Sequence, residues 1–184
     1  MNILITGPVG SGKTTHAKIL ADKLGLCFVS VGELLRKKAL EDSAEGRSLR
    51  EDMKAGKLVD DEIAARVLKE QLEHPRYKQG FVLDGYPREL KQLEHYDPGT
   101  DIVFYLDVPD EVVRGRLISR GREDDTPDLI EERLTFYHTL TEPVLSYYQN
   151  QGKLIRVNGN KGIEEVGAEI AGKLTERTVY AGSS

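Results

Sequence analysis

Cysteine is nearly absent from this chain, since Cys27 is the single cysteine among 184 residues. One thiol excludes an intrachain disulfide and any zinc site that needs several cysteines. Cys27 lies within a short apolar run, where we expect a buried and chemically inert side chain. No apolar run approaches the roughly 20 residues of a transmembrane helix, and the sequence therefore predicts no membrane span.

An excess of positive charge is also missing, because the formal net charge is −5. This balance gives no general attraction to nucleic acid or anionic membranes, so a polyanionic substrate must be bound by a local cluster of cations. The first residues enter a strand pattern without a charged leader and an apolar signal core, from which we expect a cytoplasmic location. The length suits one sizeable domain, and we expect a monomer.

Short apolar runs and helical patterns alternate along the chain. We predict strands over 2–6, 27–30, 80–84, 102–107 and 153–158. Near-continuous apolar strands joined by helices predict a parallel sheet that is covered on both faces. The predicted fold class is therefore α/β, with three layers and a five-stranded parallel sheet.

The charged region 30–60 interrupts this alternation. It contains two short helical patterns, over 31–41 and 47–55, on either side of Glu45 and Gly46. We interpret the region as an inserted helical lobe, after which a helix over 60–73 returns to the sheet.

A long helix is predicted in the second half of the chain. Thr126 followed by Pro127 is typical of an N-cap and a first helical residue. The helical pattern continues to about residue 149. Pro143 should kink or divide this helix, because proline lacks the backbone N–H that the interior of a helix requires.

The stretch Gly7–Thr15 has the complete G-x-x-x-x-G-K-[ST] pattern of a phosphate-binding loop. In this pattern the backbone N–H groups bind phosphate oxygens, the lysine bridges the outer phosphates and the hydroxyl reaches Mg²⁺. The alternative is an ordinary glycine-rich turn, but the strand pattern before the loop and the helical pattern over 13–24 favour a nucleoside triphosphate site. The predicted contacts are Gly7, Gly10, Ser11, Gly12, Lys13, Thr14 and Thr15.

A second candidate site begins at Asp84, where a predicted strand ends in a carboxylate. Ligands bind at the carboxyl ends of parallel strands, so Asp84 could reach the water shell of a Mg²⁺ ion held near Thr14. The alternative is that Asp84 only begins a tight turn with Gly85.

The run Asp84-Gly85-Tyr86-Pro87-Arg88, together with the phosphate-binding loop and Gly32-Glu33-Leu34-Leu35-Arg36, resembles the adenylate kinase family. The resemblance extends from residue 2 to about residue 174. It implies a fold of the P-loop NTPase type and, with Mg²⁺ as cofactor, transfer of the terminal phosphoryl group of ATP to AMP, giving two ADP.

The resemblance also implies roles for individual residues. Lys13, Arg88, Arg122 and Arg133 would be catalytic, and Arg116, Arg120 and Lys161 would join the loop in binding ATP. Asp124 and Asp125 match carboxylates near a closing lid. The implied AMP-binding residues are Val31, Arg36, Met53, Lys57, Val59, Gly85, Arg88 and Gln92. The implied divisions of the single domain are a core (1–29, 61–119 and 127–176), a monophosphate-binding lobe (30–60) and a short lid loop (120–126).

The chemistry of these residues agrees with that assignment. A phosphate acceptor is already an anion at neutral pH, so the reaction needs no general base, and positioning and electrostatic stabilisation provide most of the catalysis. Arginine suits this task because its planar guanidinium binds phosphate through two parallel hydrogen bonds. We therefore expect one cleft to collect the cations Lys13, Arg36, Arg88, Arg116, Arg120, Arg122 and Arg133.

The chain departs from the family's pattern at three places. Thr14 and Thr15 follow Lys13 where the family usually has Gly-Thr, which keeps the loop hydroxyl. Val31 replaces a threonine that touches the AMP base, so UMP or CMP kinase activity stays an alternative. The lid is very short, because five residues separate Arg120 from the Thr126 cap.

Two other functions remain open on the sequence alone. A small-molecule kinase with a hydroxyl acceptor would profit from a carboxylate base, and it would not explain Arg36, Arg88 and Gln92 together. A GTPase-like switch would need Asn-Lys-x-Asp to bind guanine, but the nearest match, 160–163, ends in Ile163.

Overall fold

The computed structural model describes residues 1–55, 59–122 and 125–181, the last three by their backbone alone. A 3₁₀ turn (Pro75–Tyr77) and a π-helical segment (Tyr137–Thr141) accompany the regular elements. In chain order these are β1 (Asn2–Thr6), α1 (Lys13–Leu24), β2 (Cys27–Ser30), α2 (Val31–Ala39), α3 (Ala44–Lys54), α4 (Asp61–Leu72), β3 (Phe81–Asp84), α5 (Leu90–His95), β4 (Ile102–Asp107), α6 (Asp110–Arg120), α7 (Pro127–Phe136), α8 (Glu142–Asn150), β5 (Leu154–Asn158) and α9 (Ile163–Ala181).

The five strands form one sheet in the order β2-β3-β1-β4-β5, and every neighbouring pair is parallel. This confirms the predicted α/β class, and the predicted strand bounds agree with the structure to within one residue. β1 lies at the centre of the sheet, where it pairs with β3 on one side and β4 on the other. The segment that follows β1 therefore emerges between the two halves of the sheet.

Alternate residues of β1 belong to two separate hydrophobic cores. Leu4 packs in a cluster with Leu35 of α2 and Leu68 of α4. Ile3 and Ile5 pack in a second cluster, with side chains of α1 and α9. Because successive side chains of a strand point to opposite faces, the sheet is covered on both sides and the fold has three layers.

The break between the two helices of the inserted region differs from the predicted one. α3 begins at Ala44, because the Ser43 hydroxyl accepts a hydrogen bond from the backbone N–H of Gly46 at 3.0 Å and caps the helix. Glu45 and Gly46 are therefore helical, and the prediction that they separate two helices is wrong. The break lies at residues 40–43.

The long helix of the second half is divided, as Pro143 predicts. The Thr126 hydroxyl caps α7 by accepting a hydrogen bond from the N–H of Leu129 at 3.4 Å, and Pro127 is the first helical residue. The α-helical pattern then gives way to the π-helical segment, directly before Pro143 in the first turn of α8. A π-helical turn accommodates an interruption of the regular ladder of hydrogen bonds.

The exposure of Cys27 corrects one expectation from the sequence. Its side chain is half-buried and donates to the carbonyl oxygen of Arg76 at 3.5 Å. β2 is an edge strand, so its side chains are covered less completely than those of β1, and the prediction of a buried thiol is wrong. In the described part of the chain, no helix combines the length and apolarity that crossing a bilayer requires.

Candidate nucleotide site

A cavity of about 530 Å³ opens at the carboxyl ends of β1 and β3. Its walls include the loop between β1 and α1, the turn after β3, and parts of α2, α6 and α7. The strand order places this point where the chain switches from one side of β1 to the other. Such a switch point is the usual ligand site of an open α/β sheet.

The loop after β1 has a backbone that only glycine tolerates at its key positions. Gly12, at φ +93°, precedes the first residue of α1. Gly7 has φ +148°, and a Cβ atom there would lie 2.7 Å from the carbonyl oxygen of Leu106. The loop thus turns tightly onto the N-terminus of α1, where free N–H groups and the helix dipole favour an anion.

Lys13 is the first residue of α1, and its Nζ donates to the carbonyl oxygen of Pro8 at 2.7 Å. Burial lowers the pKa of Lys13 to about 8; the nearby Asp84 carboxylate opposes this shift, whereas Arg88 and Arg120 reinforce it. The cations around the cavity therefore disfavour one another's charge. A bound polyanion would remove this repulsion.

Thr14 and Asp84 form the direct link between the loop and the end of β3. The Thr14 Oγ1 donates to Asp84 Oδ2 at 2.5 Å, and Asp84 is buried. The two side chains offer hydroxyl and carboxylate oxygens, the hard ligands that Mg²⁺ prefers. Within the described residues, no group of three or more His, Cys, Asp or Glu side chains could hold a metal ion.

The turn after β3 positions Arg88 in the cavity. The chain passes through Gly85 and a cis Tyr86–Pro87 peptide, and the Arg88 Nε then donates to the carbonyl oxygen of Gly85 at 3.3 Å. The Arg88 backbone is fixed at both ends, because its N–H donates to Gln92 Oε1 at 2.8 Å and its carbonyl oxygen accepts from Thr141 Oγ1 at 2.7 Å. The side chain faces the open cavity.

The electrostatic surroundings of Arg88 resemble those of Lys13. Desolvation by the cavity walls lowers the pKa of the Arg88 guanidinium, Asp84 opposes this shift, and Arg133 and Arg36 reinforce it. Arginine stays charged under such conditions. Cations from α2, the β3 turn and α7 thus act on the same part of the cavity.

Asp125 organises the opposite side of the cavity. Its side chain is fully buried and accepts two hydrogen bonds from Arg120, from Nε at 2.8 Å and from a terminal nitrogen at 2.6 Å. The same carboxylate accepts from the backbone N–H of Arg122 at 3.2 Å and from Arg133 at 3.4 Å. These contacts lower the pKa of Asp125, with the Arg120 hydrogen bonds as the largest cause.

Comparison with known proteins places this arrangement in a family. A family model described as adenylate kinase matches residues 5–153. Adenylate kinase 1 of Nostoc sp. is 37% identical over 179 residues, which cover 94% of this chain and 97% of the relative. The adenylate kinase of Prochlorococcus marinus is 37% identical over 180 residues (94% and 98%), and that of Xylella fastidiosa is 37% identical over 182 residues (93% and 97%).

The chain belongs to the adenylate kinase family. The match spans more than half of the chain and includes both the phosphate-binding loop and the turn that carries Arg88. The resemblance read from the sequence is thereby confirmed.

Most of the residues that the sequence and the family resemblance assign to the site line this one cavity. From the loop these are Gly7, Gly10, Gly12, Lys13, Thr14 and Thr15. From the rest of the chain they are Val31, Arg36, Met53, Val59, Asp84, Gly85, Arg88, Gln92, Arg116, Arg120, Arg122 and Arg133.

Three predicted site residues are not in that group. Ser11 is buried beneath the loop, and its hydroxyl has no hydrogen-bond partner among the described residues. Lys161 lies outside the cavity lining, and its Nζ pairs with Glu169 Oε2 at 3.0 Å. Lys57 lies outside the described residues. Asp124, which was predicted separately as a carboxylate near a lid, also lies outside them.

Sequence reasoning missed several residues of this adenylate kinase site. Thr141 and Phe136 line the cavity beside the arginines, and Asp61 contacts Gln92. Each lies on a helix where its type has an ordinary structural explanation, so spacing alone gave no signal. Pro143 marks this region in the sequence, and Thr141, two residues before it, ends the π-helical segment and contacts the Arg88 turn.

Proposed function

We propose that this protein transfers the terminal phosphoryl group of ATP to AMP and produces two ADP. An oxygen of the AMP phosphate forms a bond to the γ-phosphorus of ATP, and the bond from that phosphorus to the β–γ bridging oxygen breaks. The observation that carries the proposal is that all seven predicted cations line one cavity beside the phosphate-binding loop. The named relatives are adenylate kinases, which favours AMP over UMP or CMP as the acceptor.

The proposed donor site is the loop end of the cavity. The N–H groups of the loop and the Lys13 ammonium would bind the ATP phosphates, as the N-terminus of α1 favours. Arg116 and Arg120 project from α6 into the same space. The Arg116 guanidinium donates to the carbonyl oxygen of Gly159 at 3.0 Å, which orients it toward the loop before α9. Because the Lys161 ammonium pairs with Glu169, we assign only the backbone of Lys161 to the adenine contact.

The proposed acceptor site lies between α2 and the β3 turn. Arg36 and Arg88 would bind the AMP phosphate, and Gln92 would contact the base, with Val31, Met53 and Val59 as the apolar wall. No side-chain base is needed, because the attacking phosphate oxygen is already anionic. Arg122 and Arg133 would stabilise the charge on the transferring group, in the manner of arginines in other phosphoryl transferases.

Thr14 and Asp84 would hold Mg²⁺, the Asp84 carboxylate through water. When bound, the ion would neutralise phosphate charge and orient the β- and γ-phosphates for in-line transfer. The protein's part is to keep the hydroxyl and the carboxylate together at the loop, as their 2.5 Å hydrogen bond does.

We further propose the division of labour that the family resemblance implies. Residues 30–60 would form the monophosphate-binding lobe, 120–126 the lid loop and the remaining segments (1–29, 61–119 and 127–176) the core. A monomer in the cytoplasm would be the working form, since one chain supplies both ends of the cavity. Light scattering tests the monomer directly, with an expected mass of 20.6 kDa.

An acceptor panel tests the proposed reaction. With Mg-ATP held constant, ADP formation is measured with AMP, CMP, UMP and a polyol as separate acceptors. AMP should give the highest kcat/KM. A rate with AMP no higher than the rate without acceptor would overturn the proposal, and a preference for the polyol would favour a kinase of hydroxyl groups.

The short lid leads to a prediction about water. Closure of a lid excludes water from a phosphoryl-transfer site, and only five residues separate Arg120 from the Thr126 cap. We therefore expect slow ATP hydrolysis in the absence of AMP, measured as phosphate release. Lys13→Ala is the control for contaminating phosphatases. Release no faster than the uncatalysed background would contradict this expectation.

The pKa of Lys13 leads to a prediction about proton uptake. Without nucleotide this pKa is lowered to about 8, so part of the lysine population is neutral near pH 8. Bound phosphates favour the charged form, and ATP binding at pH 8 should therefore take up a fraction of a proton. Calorimetry in two buffers of different ionisation enthalpy measures this uptake, which should shrink toward zero at pH 6. Equal uptake at both pH values would contradict the assignment to Lys13.

A further inference from the structure

Both ends of the Gln92 side-chain amide are already bound to protein groups. Gln92 Oε1 accepts from the backbone N–H of Arg88 at 2.8 Å, and Gln92 Nε2 donates to Asp61 Oδ1 at 2.8 Å. Gln92 is only 3% exposed, yet it lines the cavity at the acceptor end. These two partners therefore determine which way the remaining donor and acceptor of the amide point.

The two partners permit a single orientation of the amide. A backbone N–H can only donate, and an ionised carboxylate can only accept. Rotating the amide by half a turn would place Nε2 against the N–H of Arg88 and Oε1 against the carboxylate of Asp61. The rotated amide would thus lose two hydrogen bonds and gain two repulsive contacts, one of them with a charge.

Neighbouring groups hold the Gln92 backbone and Asp61 in place. The Tyr86 hydroxyl, itself buried, lies within hydrogen-bond distance of the carbonyl oxygens of Gln92 and Tyr96. Asp61 is the first residue of α4, directly after the Asp60 cap. Burial and a hydrogen bond to Asp61 raise the pKa of the nearby Glu89 carboxyl.

One donor and one acceptor of the Gln92 amide remain for a nucleobase. Each amide nitrogen carries two hydrogens and each amide oxygen two lone pairs, and the protein uses one of each. Adenine and cytosine present an amino donor beside a ring-nitrogen acceptor on their Watson–Crick edges, which this amide orientation can match. Hypoxanthine and uracil present a carbonyl acceptor beside a ring N–H donor, which requires the rotated amide.

We propose that Asp61 is a positioning residue that sets base selectivity by fixing the orientation of the Gln92 amide, so that the acceptor site favours AMP and CMP over IMP and UMP. This inference rests on the proposed function and deepens it. The favoured pair (AMP and CMP) and the disfavoured pair (IMP and UMP) each contain one purine and one pyrimidine. A preference between the pairs therefore reports the hydrogen-bonding pattern of the base and not the size of the base. Selection of AMP over CMP then depends on the fit of the larger base against Val31 and its neighbours.

Asp61→Asn tests the proposal, because an asparagine amide can donate as well as accept. It removes the repulsion at residue 61, so that only the backbone N–H of Arg88 still opposes the rotated Gln92. The four monophosphates are compared at saturating Mg-ATP. In the variant, kcat/KM for IMP relative to AMP, and for UMP relative to CMP, should each rise about tenfold, a change of the size expected for one hydrogen bond to a charged group. The KM for AMP should rise while kcat and the KM for ATP change little.

Two further variants separate positioning from a structural effect. Asp60→Asn removes the same charge from the same helix end, and asparagine caps helices as well as aspartate does, so both selectivity ratios should stay at their wild-type values. Asp61→Glu keeps a group that only accepts and should retain the selectivity. Thermal midpoints of all three variants show whether the fold is intact.

The outcomes are distinguishable from those of the proposed function. If the wild type does not phosphorylate AMP, the proposed function fails and this inference with it. If the wild type phosphorylates AMP, but its kcat/KM for IMP equals that for AMP and its kcat/KM for UMP equals that for CMP, the inference alone fails. Unchanged ratios in Asp61→Asn, or the same shift in Asp60→Asn or Asp61→Glu, would also overturn it.

Discussion

Replacing Arg88 with alanine is expected to lower kcat/KM for AMP by about 10²–10³-fold, the cost of removing one hydrogen-bond donor from an oxyanion hole. Arg88 is held by the turn after β3, and its backbone is fixed by Gln92 and Thr141. Alanine removes the guanidinium without disturbing these two backbone contacts. The dissociation constant of ATP should change by less than about threefold, since the donor phosphates lie against the loop and α1 in the proposed site.

Two companion variants make the Arg88 result interpretable. Arg88→Lys keeps the charge but not the planar pair of donors, so it should recover only part of the loss. Arg47→Ala removes an exposed arginine of α3 that pairs with Asp42, and it should leave both substrate affinities unchanged. Equal losses of ATP and AMP affinity in Arg88→Ala would contradict its assignment to the acceptor.

The fold was largely predictable because its strands are short, apolar and separated by clear helical patterns. β1 shows why this worked: Ile3, Leu4 and Ile5 are all buried, as a central parallel strand with helices on both faces requires. The predicted helix bounds were wrong where a single side chain determines the first residue of a helix. Ser43 caps α3 three residues earlier than the hydrophobic pattern indicated, because a cap satisfies free N–H groups whatever the periodicity of the helix.

The candidate site was predictable to a different degree for its different parts. The phosphate-binding loop and the Arg88 turn are contiguous in sequence, so their patterns were readable directly. The contact between Asp61 and Gln92 joins residues 31 positions apart, and the contact between Thr141 and Arg88 joins residues 53 positions apart. Such contacts depend on how α4 and the π-helical segment pack on the β3 turn, and one sequence does not encode that in any local pattern.

Lys161 differs from these residues, because it matches the family's pattern but its side chain forms an ion pair outside the cavity. Its ammonium pairs with Glu169, which also binds Lys173 and the backbone N–H of Asn158. These contacts lower the pKa of Glu169 to about 2, with the Lys173 hydrogen bond as the largest cause. The cluster fixes the turn before α9, so the contacts of the Lys161 side chain stabilise this turn.

Asp125 carries the other large expected effect, because one buried carboxylate binds three arginine residues. Arg120 donates to it through two nitrogens, and Arg122 and Arg133 contact it through a backbone N–H and a guanidinium. The arginines come from α6, the loop that follows it and α7, so this carboxylate links three consecutive segments of the chain. Its removal should affect both stability and catalysis.

Asp125→Asn is expected to lower the free energy of unfolding by about 1.5–3 kcal/mol at pH 7, the range for hydrogen bonds to a charged group. The turnover number should fall by about tenfold or more. Asparagine replaces one of the two oxygens that orient Arg120 and Arg133 with an NH₂ group that cannot accept. Glu131→Gln is a matched control. Glu131 also binds one arginine, Arg114, through two oxygens, at 2.5 and 2.9 Å, but it is exposed. That change should cost less than about 1 kcal/mol and leave turnover intact.

The pH dependence distinguishes a buried ion cluster from a simple loss of packing. The folded-state pKa of Asp125 is lowered, so its contribution to stability is complete above the unfolded value of about 3.9 and is lost as the pH falls through the folded value. Wild type and Asp125→Asn should therefore differ most near pH 7 and converge in acid, whereas a packing defect would persist at every pH. Denaturant unfolding across that pH range decides between them. A difference in the free energy of unfolding that stays constant with pH would contradict the interpretation that the Asp125 carboxylate stabilises the arginine cluster by its charge.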